Sequence, residues 1–243
     1  NYNIFLQYHT LEHLKPNLTI HEFNSHEEQD KFILNMLKNK KNGFFLEIGS
    51  DHPINDNKLY ILEKKYEWNG IILEPSNKRL NFYKKTRPNS IHIIDDATKI
   101  DYKSLFEINK VPINLDYLKI DLQLWNGCTI ATLEKLNSEV MDKHKFATII
   151  FEHDNWNRWY RKRRLVSRKI FEDRGYVIVF SDINNMNNYP FEDWYIHPDL
   201  VDIELVNNLI KKNEQKYKSN VKAHTYFDES PVNKSINWQD IEY

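Results

Sequence analysis

Hydrophobic and polar positions follow two alternating patterns along most of the chain. From residue 43 onward, short apolar runs typical of strands buried on both faces are followed by stretches in which apolar residues recur at helical spacing. The pattern predicts strands over residues 44–48, 71–73, 91–94, 115–120, 147–151, 176–180 and 194–197. It predicts helices over residues 58–66, 77–85, 102–109, 129–140 and 161–174. Such alternation predicts an α/β fold, a doubly wound, mostly parallel sheet with helices on both faces.

The two ends of the chain differ from this alternating region. Residues 1–24 show no sustained period, and we expect an N-terminal arm there. The segment 25–28 has the form of a capping box and precedes apolar residues at helical spacing, which predicts a helix. A last helix is predicted over residues 200–217, and residues 218–243 form a polar C-terminal tail. The predicted organisation is one domain, residues 25–217, between two extensions.

Composition limits the classes of function. The chain has 243 residues with 34 Lys and Arg against 35 Asp and Glu, so it has no excess positive charge for binding nucleic acid. No apolar run reaches the roughly 18–20 residues of a membrane span. The single cysteine, Cys128, excludes an internal disulfide and a zinc site made of several cysteines. We therefore expect a cytoplasmic protein without nucleic-acid or membrane partners.

Candidate ligand-binding residues lie at the ends of the predicted strands, because open α/β sheets bind ligands at the carboxyl ends of their strands. Gly49 ends the first strand and would allow a tight turn and close approach of the backbone to a nucleotide or nucleoside. Glu74 ends the second strand, 25 positions after Gly49. A carboxylate there suits a ribose, since it can accept hydrogen bonds from both hydroxyls of the diol. A plain strand-ending glycine and a solvated glutamate are the alternatives, and the pairing of the two favours ribose binding.

Three further strand ends carry acidic or imidazole side chains. Asp96 follows the third strand, where a carboxylate can accept a hydrogen from an adenine amino group. Asp121 follows the fourth strand, and Glu152 and His153 follow the fifth. Carboxylates and imidazole suit either a general base or a divalent cation, and we favour a base, with His153 preferred and Glu152 as its competitor. A structural histidine and a loop-capping glutamate remain open as alternatives.

Several short blocks recur in a defined order between residues 43 and 201. They are GFFLEIGS at 43–50, LYILE at 59–63, WNGIILEP at 68–75, LDYLKID at 115–121, ATIIFEHD at 147–154, the helix–strand junction at 168–176 and PFEDWYIHP at 190–198. Each block alone is degenerate, but their order and spacing are more specific. Together they resemble the FkbM-type S-adenosylmethionine-dependent methyltransferases, a class I, Rossmann-like family.

The resemblance implies a Rossmann-like methyltransferase sheet that binds S-adenosylmethionine and releases S-adenosylhomocysteine. The cofactor-binding residues that it implies are Glu47, Gly49, Ser50, Glu74, Asp96, Ala97 and Asp121. Among them, Glu74 matches the carboxylate that binds ribose, Asp96 and Ala97 match the adenine region, and Asp121 matches the acidic residue near the methyl group and the acceptor. The family generally methylates oxygen, often on a sugar or a polyketide-type alcohol.

The helix after the fifth strand is basic and interleaved with aromatic residues. Guanidinium groups suit an anionic acceptor such as a nucleotide-sugar or a phosphorylated glycan, and aromatic faces suit sugar rings. A solvated helix face is the alternative. The block around Trp194 is interpreted as a cover for the acceptor pocket or as a sheet-edge strand. The predicted substrate-binding residues are Trp156, Arg161, Arg164 and Trp194.

The sequence thus predicts an S-adenosylmethionine-dependent O-methyltransferase acting on a sugar, glycan or other small-molecule hydroxyl. Its predicted catalytic residues, Asp121, Glu152 and His153, would remove the hydroxyl proton, and a divalent metal is not favoured. Two departures from the family, His52-Pro53 and Gln123-Leu124, keep open a catalytically silent methyltransferase-fold binding protein. Acidic strand ends and the basic helix keep open a nucleotide-sugar-dependent glycosyltransferase. The sequence leaves the oligomeric state undetermined.

Overall fold

The computed structural model describes residues 29–55, 57–122, 127–155, 161–184 and 189–208. The predicted arm (1–24), the capping box (25–28) and the polar tail (218–243) lie outside the described residues. Within them, seven strands form one sheet: β1 (Phe44–Ile48), β2 (Asn69–Leu73), β3 (Ile91–Ile93), β4 (Asn114–Ile120), β5 (Lys145–Glu152), β6 (Val177–Asn184) and β7 (Pro190–Ile196).

The strand order across the sheet is β3-β2-β1-β4-β5-β7-β6. The first five strands pair in parallel, whereas β7 runs antiparallel to both β5 and β6. The predicted α/β fold with a doubly wound, mostly parallel sheet is therefore confirmed. The chain builds outward from β1 to β3 and then returns to the other side of β1 with β4. The point between β1 and β4, where the order reverses, is the position at which such sheets bind ligands.

Helices connect the strands at the places that the periodicity predicts. They are α1 (Gln29–Met36), α2 (Tyr60–Tyr66), α3 (Leu80–Thr86), α4 (Tyr102–Ile108), α5 (Cys128–Glu139) and α6 (Arg161–Asp173). A 3-10 turn, Asn77–Arg79, leads into α3, and residues 203–208 are helical at the end of the described part. Because α1, α2 and α3 lie on one face of the sheet and α4, α5 and α6 lie on the other, the strands are buried on both sides and form apolar runs in the sequence.

Two hydrophobic clusters, one on each face, enclose the sheet. Phe32 of α1, Leu62 of α2 and Tyr83 of α3 pack on one face. Side chains of α4, α5 and α6 pack on the other, together with alternate positions of the central strands. On β4, Tyr117 belongs to the first cluster and Leu118 to the second. This alternation follows from the two-residue period of a strand.

The last strand is longer than the sequence predicts. β7 begins at Pro190, whereas the apolar pattern predicts a strand only from residue 194. Its first part contains Glu192 and Asp193, which are both fully buried. Two adjacent acidic residues after a proline are typical of a loop. They fit inside this sheet because their carboxylates are paired with cationic side chains described below.

None of the helices formed by the described residues is long and apolar enough to cross a membrane.

The central strand allows a test of the core. We expect Leu118→Ala to lower the free energy of unfolding by about 2–5 kcal/mol, because Leu118 is fully buried and the change leaves a cavity. Ile108→Ala is the control, since Ile108 is 78% exposed at the end of α4, and we expect it to stay within about 0.5 kcal/mol of the wild type. Urea unfolding measures both. Equal losses in the two variants would contradict this assignment of the core.

Candidate active site

The loops that follow β1 and β4 meet at the switch point, and Gly49 lies where they cross. Its backbone has a φ of 79°, a left-handed conformation that favours glycine. A Cβ atom here would lie 1.8 Å from the carbonyl oxygen of Asp121. The N–H of Gly49 donates to the carbonyl of Leu73 at 2.9 Å, and the N–H of Asp121 donates to that of Ile48 at 3.0 Å. The group that approaches Gly49 closely is therefore the chain's own backbone, at the carbonyl of Asp121.

A fully buried arginine supports the loop after β1. Arg87 follows α3, and its Nη1 donates to Oε2 of Glu47 at 2.9 Å while its Nε donates to Oε1 of Glu63 at 2.5 Å. The guanidinium also lies 5.6 Å from the ring centre of Phe45 and 5.9 Å from that of Tyr83. Burial opposes the charge of Arg87, but the two carboxylates outweigh it and raise its pKa. Burial raises the pKa of Glu63.

Asn57 connects this network to the loop. Its Nδ2 donates to Oε1 of Glu47 at 3.2 Å, to Oγ of Ser50 at 3.1 Å and to the carbonyl of His52 at 3.1 Å. The sequence predicts Glu47 and Ser50 as cofactor contacts. The structure places both beneath the loop, with 0% and 5% of their surface exposed. Direct contact of either side chain with a ligand does not fit this geometry, and their role is to hold the loop.

Glu74 lies at the end of β2 beside the same loop. Its Oε2 accepts a hydrogen bond from the N–H of Asp51 at 3.3 Å, and its Oε1 accepts one from the N–H of Ser76 at 3.2 Å. The side chain is half-buried, so each oxygen keeps a lone pair that a hydroxyl donor can reach. The structure therefore places the predicted ribose carboxylate at the ligand-binding edge, held by two backbone amides.

The predicted adenine region lies at the end of β3. Oδ1 of Asp96 accepts hydrogen bonds from the N–H and the hydroxyl of Thr98, at 3.0 and 2.7 Å, and these bonds lower its pKa. Lys99 lies 3.2 Å from the other oxygen. Ala97 is buried, and its carbonyl accepts a hydrogen bond from the hydroxyl of Tyr102 at 2.8 Å. One oxygen of Asp96 thus stabilises the turn that contains Thr98, while part of the side chain stays exposed to solvent.

A lysine in β4 links the two loops of the switch point. Lys119 Nζ lies 2.8 Å from Oδ2 of Asp121 and donates to the carbonyl of Gly49 at 2.8 Å. Lys58, in the turn before α2, lies 3.9 Å from the same carboxylate. About a third of the Asp121 side chain is exposed, at 31%. Asp121 therefore stands at the switch point with one accessible side and two ammonium groups near it.

Glu152, the last residue of β5, lies beside Asp121, since the parallel pairing of β4 and β5 sets Ile120 next to Phe151. Burial opposes ionisation of Asp121, but Lys119, a hydrogen bond from Glu152 and Lys58 outweigh it and lower the pKa of Asp121. Burial and the charge of Asp121 raise the pKa of Glu152 well above its ordinary value. Ionisation is therefore favoured at Asp121 and disfavoured at Glu152.

Glu192, near the start of β7, completes this group of charges. Its carboxylate accepts from Lys58 Nζ at 2.7 Å, from Nε2 of Gln29 at 3.1 Å and from Nε1 of Trp194 at 2.8 Å. Burial opposes the charge of Lys58, but Glu192 and Asp121 outweigh it and raise its pKa. We name Lys58, Lys119, Asp121, Glu152 and Glu192 the edge cluster.

Three members of the edge cluster, Lys58, Lys119 and Glu192, are missed by sequence reasoning. The sequence pattern makes Lys58 the first residue of an amphipathic helix, and it gives Glu192 no role beyond membership of the block around Trp194, interpreted as a cover for the acceptor pocket or a sheet-edge strand. A signal exists for Lys119, since it is the one charged residue between apolar neighbours near the end of a strand and lies two positions before Asp121. Lysine is almost never fully buried without a partner.

His153 does not have the hydrogen bonding of a general base. The ring is fully buried, and Nδ1 accepts a hydrogen bond from the N–H of Asn155 at 3.1 Å. The neutral ring therefore carries its proton on Nε2, which lies 3.4 Å from Asp193 and 3.7 Å from Asp182. No lone pair is left to accept a proton from a substrate. The structural alternative for His153 fits better than the predicted catalytic role.

The same hydrogen bond tests His153, Asp182 and Asp193 as ligands of a metal ion. Their ligand atoms lie within 4.8 Å of one another. A metal needs the lone pair of the ring nitrogen that faces it, and here that nitrogen carries the proton. The carboxylates already pair with Arg164 at 2.5 Å and with Arg168 at 2.7 Å. These residues therefore form an ion-pair network and do not fit a metal site.

The predicted acceptor residues are distributed differently from the expectation. Trp156 and the side chain of Arg161 lie outside the described part of the structure. Arg164 is turned toward Asp182 of β6 by the ion pair given above. Trp194 has no exposed surface and packs against Phe32 and Phe180, with ring centres 5.0 and 5.5 Å away. Contact between Trp194 and a substrate does not fit this position in the core.

Solved structures with a similar fold are methyltransferases. The O-methyltransferase from Bacillus cereus in complex with SAH is 13% identical with a TM-score of 0.49, over 79% of this chain and 90% of that one. Human methyltransferase-like protein 13 in complex with SAH is 13% identical with a TM-score of 0.47, over 84% and 98%. Precorrin-6y C5,15-methyltransferase from Geobacter metallireducens GS-15 is 14% identical with a TM-score of 0.43, over 73% and 93%. No protein-family model matches the chain, and no curated protein matches its sequence.

At these identities the likeness concerns the fold alone. The strand order, in which an antiparallel β7 lies between β5 and β6, is that of the doubly wound, mostly parallel α/β sheet expected from the sequence.

The buried arginine provides a first test of the site. We expect Arg87→Met to lower the free energy of unfolding by about 3–5 kcal/mol, because it leaves Glu47 and Glu63 buried without their cation. Lys84→Met is the control, since Lys84 is exposed on α3. Urea unfolding measures both variants. A similar, small effect of the two substitutions would show that the loop does not depend on the buried charge.

The tautomer of His153 provides a second test. We expect nitrogen NMR of the labelled protein to show its proton on Nε2, because Nδ1 accepts from a backbone N–H. His144 is the internal control, since its Nδ1 lies 3.0 Å from the carbonyl oxygen of Pro112 and must carry the proton. A proton on Nδ1 of His153 would restore this histidine as a candidate base or metal ligand.

Proposed function

We propose that this chain is an S-adenosylmethionine-dependent methyltransferase of the FkbM-like type that methylates a hydroxyl group of a sugar, glycan or other small molecule. One observation carries the proposal: two accessible carboxylates flank β1 at the switch point of a methyltransferase-type sheet. Glu74 follows β2, and Asp121 follows β4. Ligands of open α/β sheets bind at this position.

Glu74 supports binding of a nucleoside. Its two oxygens are fixed by the backbone amides of Asp51 and Ser76, so the carboxylate is oriented before a ligand arrives. A fixed carboxylate with free lone pairs matches the vicinal hydroxyls of a ribose. The residues present therefore fit the nucleoside part of S-adenosylmethionine. Gly49 and the network beneath it hold the adjoining loop in place.

Asp121 supports transfer at the edge cluster. When bound, S-adenosylmethionine supplies an electrophilic methyl group on a positively charged sulfur. Asp121 is ionised and partly exposed, so it can accept a hydrogen bond from an acceptor hydroxyl and orient its oxygen. Holding the two reactants together in this way accounts for much of the rate of such reactions.

The charges around the site favour a neutral acceptor over an anionic one. Lys58, Lys119, Arg164 and Arg168 each lie within 3.2 Å of a carboxylate oxygen of this chain. An anionic acceptor would have to compete with those carboxylates, whereas a hydroxyl needs only a hydrogen-bond acceptor such as Asp121. We therefore propose an uncharged sugar or alcohol hydroxyl as the acceptor, and no nucleic-acid substrate.

Thermal unfolding with S-adenosylhomocysteine tests the proposal. A ligand at about 100 times its dissociation constant adds roughly 2.7 kcal/mol to the stability of the folded state. For a domain of this size we expect the melting temperature to rise by about 5–10 °C. Glu74→Ala removes charge-assisted hydrogen bonds worth about 1.5–3 kcal/mol each, so we expect at least tenfold weaker binding.

Glu107→Ala is the matched control, because Glu107 is an exposed glutamate on α4. Its melting temperature should rise with ligand as much as that of the wild type. If the ligand raised the melting temperature of the Glu74→Ala variant as much as that of the wild type, the assignment of Glu74 to the ribose would be refuted. An unchanged melting temperature of the wild type at saturating ligand would refute the methyltransferase proposal, and nucleotide-sugars would then be screened. Binding without methyl transfer to any acceptor hydroxyl would indicate a silent binding protein.

A further inference from the structure

The edge cluster holds more carboxylates than ammonium groups. Asp121 lies 2.8 Å from Lys119 and 3.9 Å from Lys58, and Lys58 also pairs with Glu192 at 2.7 Å. Glu152 lies beside Asp121 at the ends of two paired parallel strands, where Ile120 pairs with Phe151, and burial and the charge of Asp121 raise its pKa. Three carboxylates beside two ammonium groups favour one exchangeable proton in the cluster, held by the neighbouring carboxyl groups of Asp121 and Glu152.

The charges that face Glu152 come from each element around it. Asp121 beyond β4 and Asp154 beyond β5 disfavour a further negative charge at Glu152, and Lys58 from the turn before α2 favours it. Glu192 of β7 offsets much of the effect of Lys58, since the two form an ion pair. With this arrangement of charges, burial and repulsion raise the pKa of Glu152 and favour its protonated form in the free protein.

A methyl donor bound at this site would add the positive charge that is missing. Glu74 and Asp121 are separated by two strand spacings of about 4.8 Å each, or about 10 Å. A ligand that has its ribose at Glu74 and its methyl group at Asp121 crosses β1 with its sulfonium centre close to the carboxylates. A positive charge there favours the ionised form of Glu152. The sulfur of S-adenosylhomocysteine is neutral and lacks this effect.

We propose that the Asp121–Glu152 pair gives up its shared proton when a sulfonium ligand binds, and that Glu152 then takes the proton of the acceptor hydroxyl. The inference rests on the proposed function. Over one cycle the acceptor oxygen forms its bond to the methyl carbon, the carbon–sulfur bond breaks with its electron pair on sulfur, and the hydroxyl proton passes to Glu152. The pair is then protonated again beside a neutral sulfur, so the site binds the donor more tightly than the spent product as pH rises.

Calorimetric titration of the full chain counts the protons. S-adenosylmethionine and S-adenosylhomocysteine are each titrated at neutral pH in two buffers of different ionisation enthalpy. Glu152→Gln keeps the size and hydrogen bonding of the side chain but has no proton to release. On binding S-adenosylmethionine, we expect the wild type to release about one proton more than Glu152→Gln. On binding S-adenosylhomocysteine, we expect the two proteins to release equal numbers of protons. Comparing the two proteins with one ligand removes the ligand's own titration.

The affinity for S-adenosylmethionine should also rise with pH in the wild type, by up to about tenfold per pH unit relative to Glu152→Gln. Glu134→Gln, an exposed glutamate on α5, should behave as the wild type. Asp121→Asn, which breaks the pair from the other side, should also lose the additional proton.

Equal proton counts in the wild type and Glu152→Gln would overturn the inference, and so would the same excess with both ligands. If the wild type bound both ligands but released no additional proton with S-adenosylmethionine, the inference would fail and the proposed function would stand. Absence of binding by the wild type would instead refute the proposed function itself and, with it, the inference. The two failures are therefore distinguishable.

Discussion

The loops at the switch point depend on the burial of one positive charge, that of Arg87. A guanidinium without exposed surface must be matched by anions, and here Glu47 of β1 and Glu63 of α2 match it. Because these partners come from separate elements, they meet only when α2 and the segment after α3 lie against β1. A buried ion pair of this kind contributes little net stability, but it disfavours any other arrangement of the same elements. The position of the loop at Gly49 follows from it.

The ligand edge shows a different use of buried charge. Beneath the loop, the carboxylates of Glu47 and Glu63 are buried and share the guanidinium of Arg87. In the edge cluster, the pKa of Asp121 is lowered and its side chain is partly exposed, whereas the pKa of Glu152 is raised. Of these two groups, only the edge cluster presents an accessible carboxylate to a ligand. Glu47 and Glu63 thus support the loop at the site, whereas Asp121 and Glu152 face the ligand-binding edge.

Periodicity predicts most of the fold, because burial on both faces makes the strands apolar and their connecting helices amphipathic. It does not predict the start of β7, where Glu192 is buried against Lys58, a partner 134 residues away. The resemblance also gives Glu47 as a cofactor contact, whereas the structure places its carboxylate beneath the loop, where it pairs with Arg87. The carboxylates at strand ends, Glu74 and Asp121, are predictable, since the edge they occupy follows from topology alone. Their lysine partners depend on side-chain packing that no local pattern encodes.

The antiparallel β7 has a consequence for the order in which the protein becomes competent. Because β7 runs against its neighbours, its first residues reach the edge where the parallel strands end, so the edge cluster draws on an early turn of the chain and on its last strand. During synthesis, at about 5–20 residues per second, Glu192 leaves the ribosome on the order of ten seconds after Lys58. The parallel core is complete once β5 is made, and β5 ends at Glu152, which is 192 − 152 = 40 residues, or about 2–8 seconds of synthesis, before Glu192. In a newly made chain, the parallel strands can therefore pair before the edge cluster is assembled.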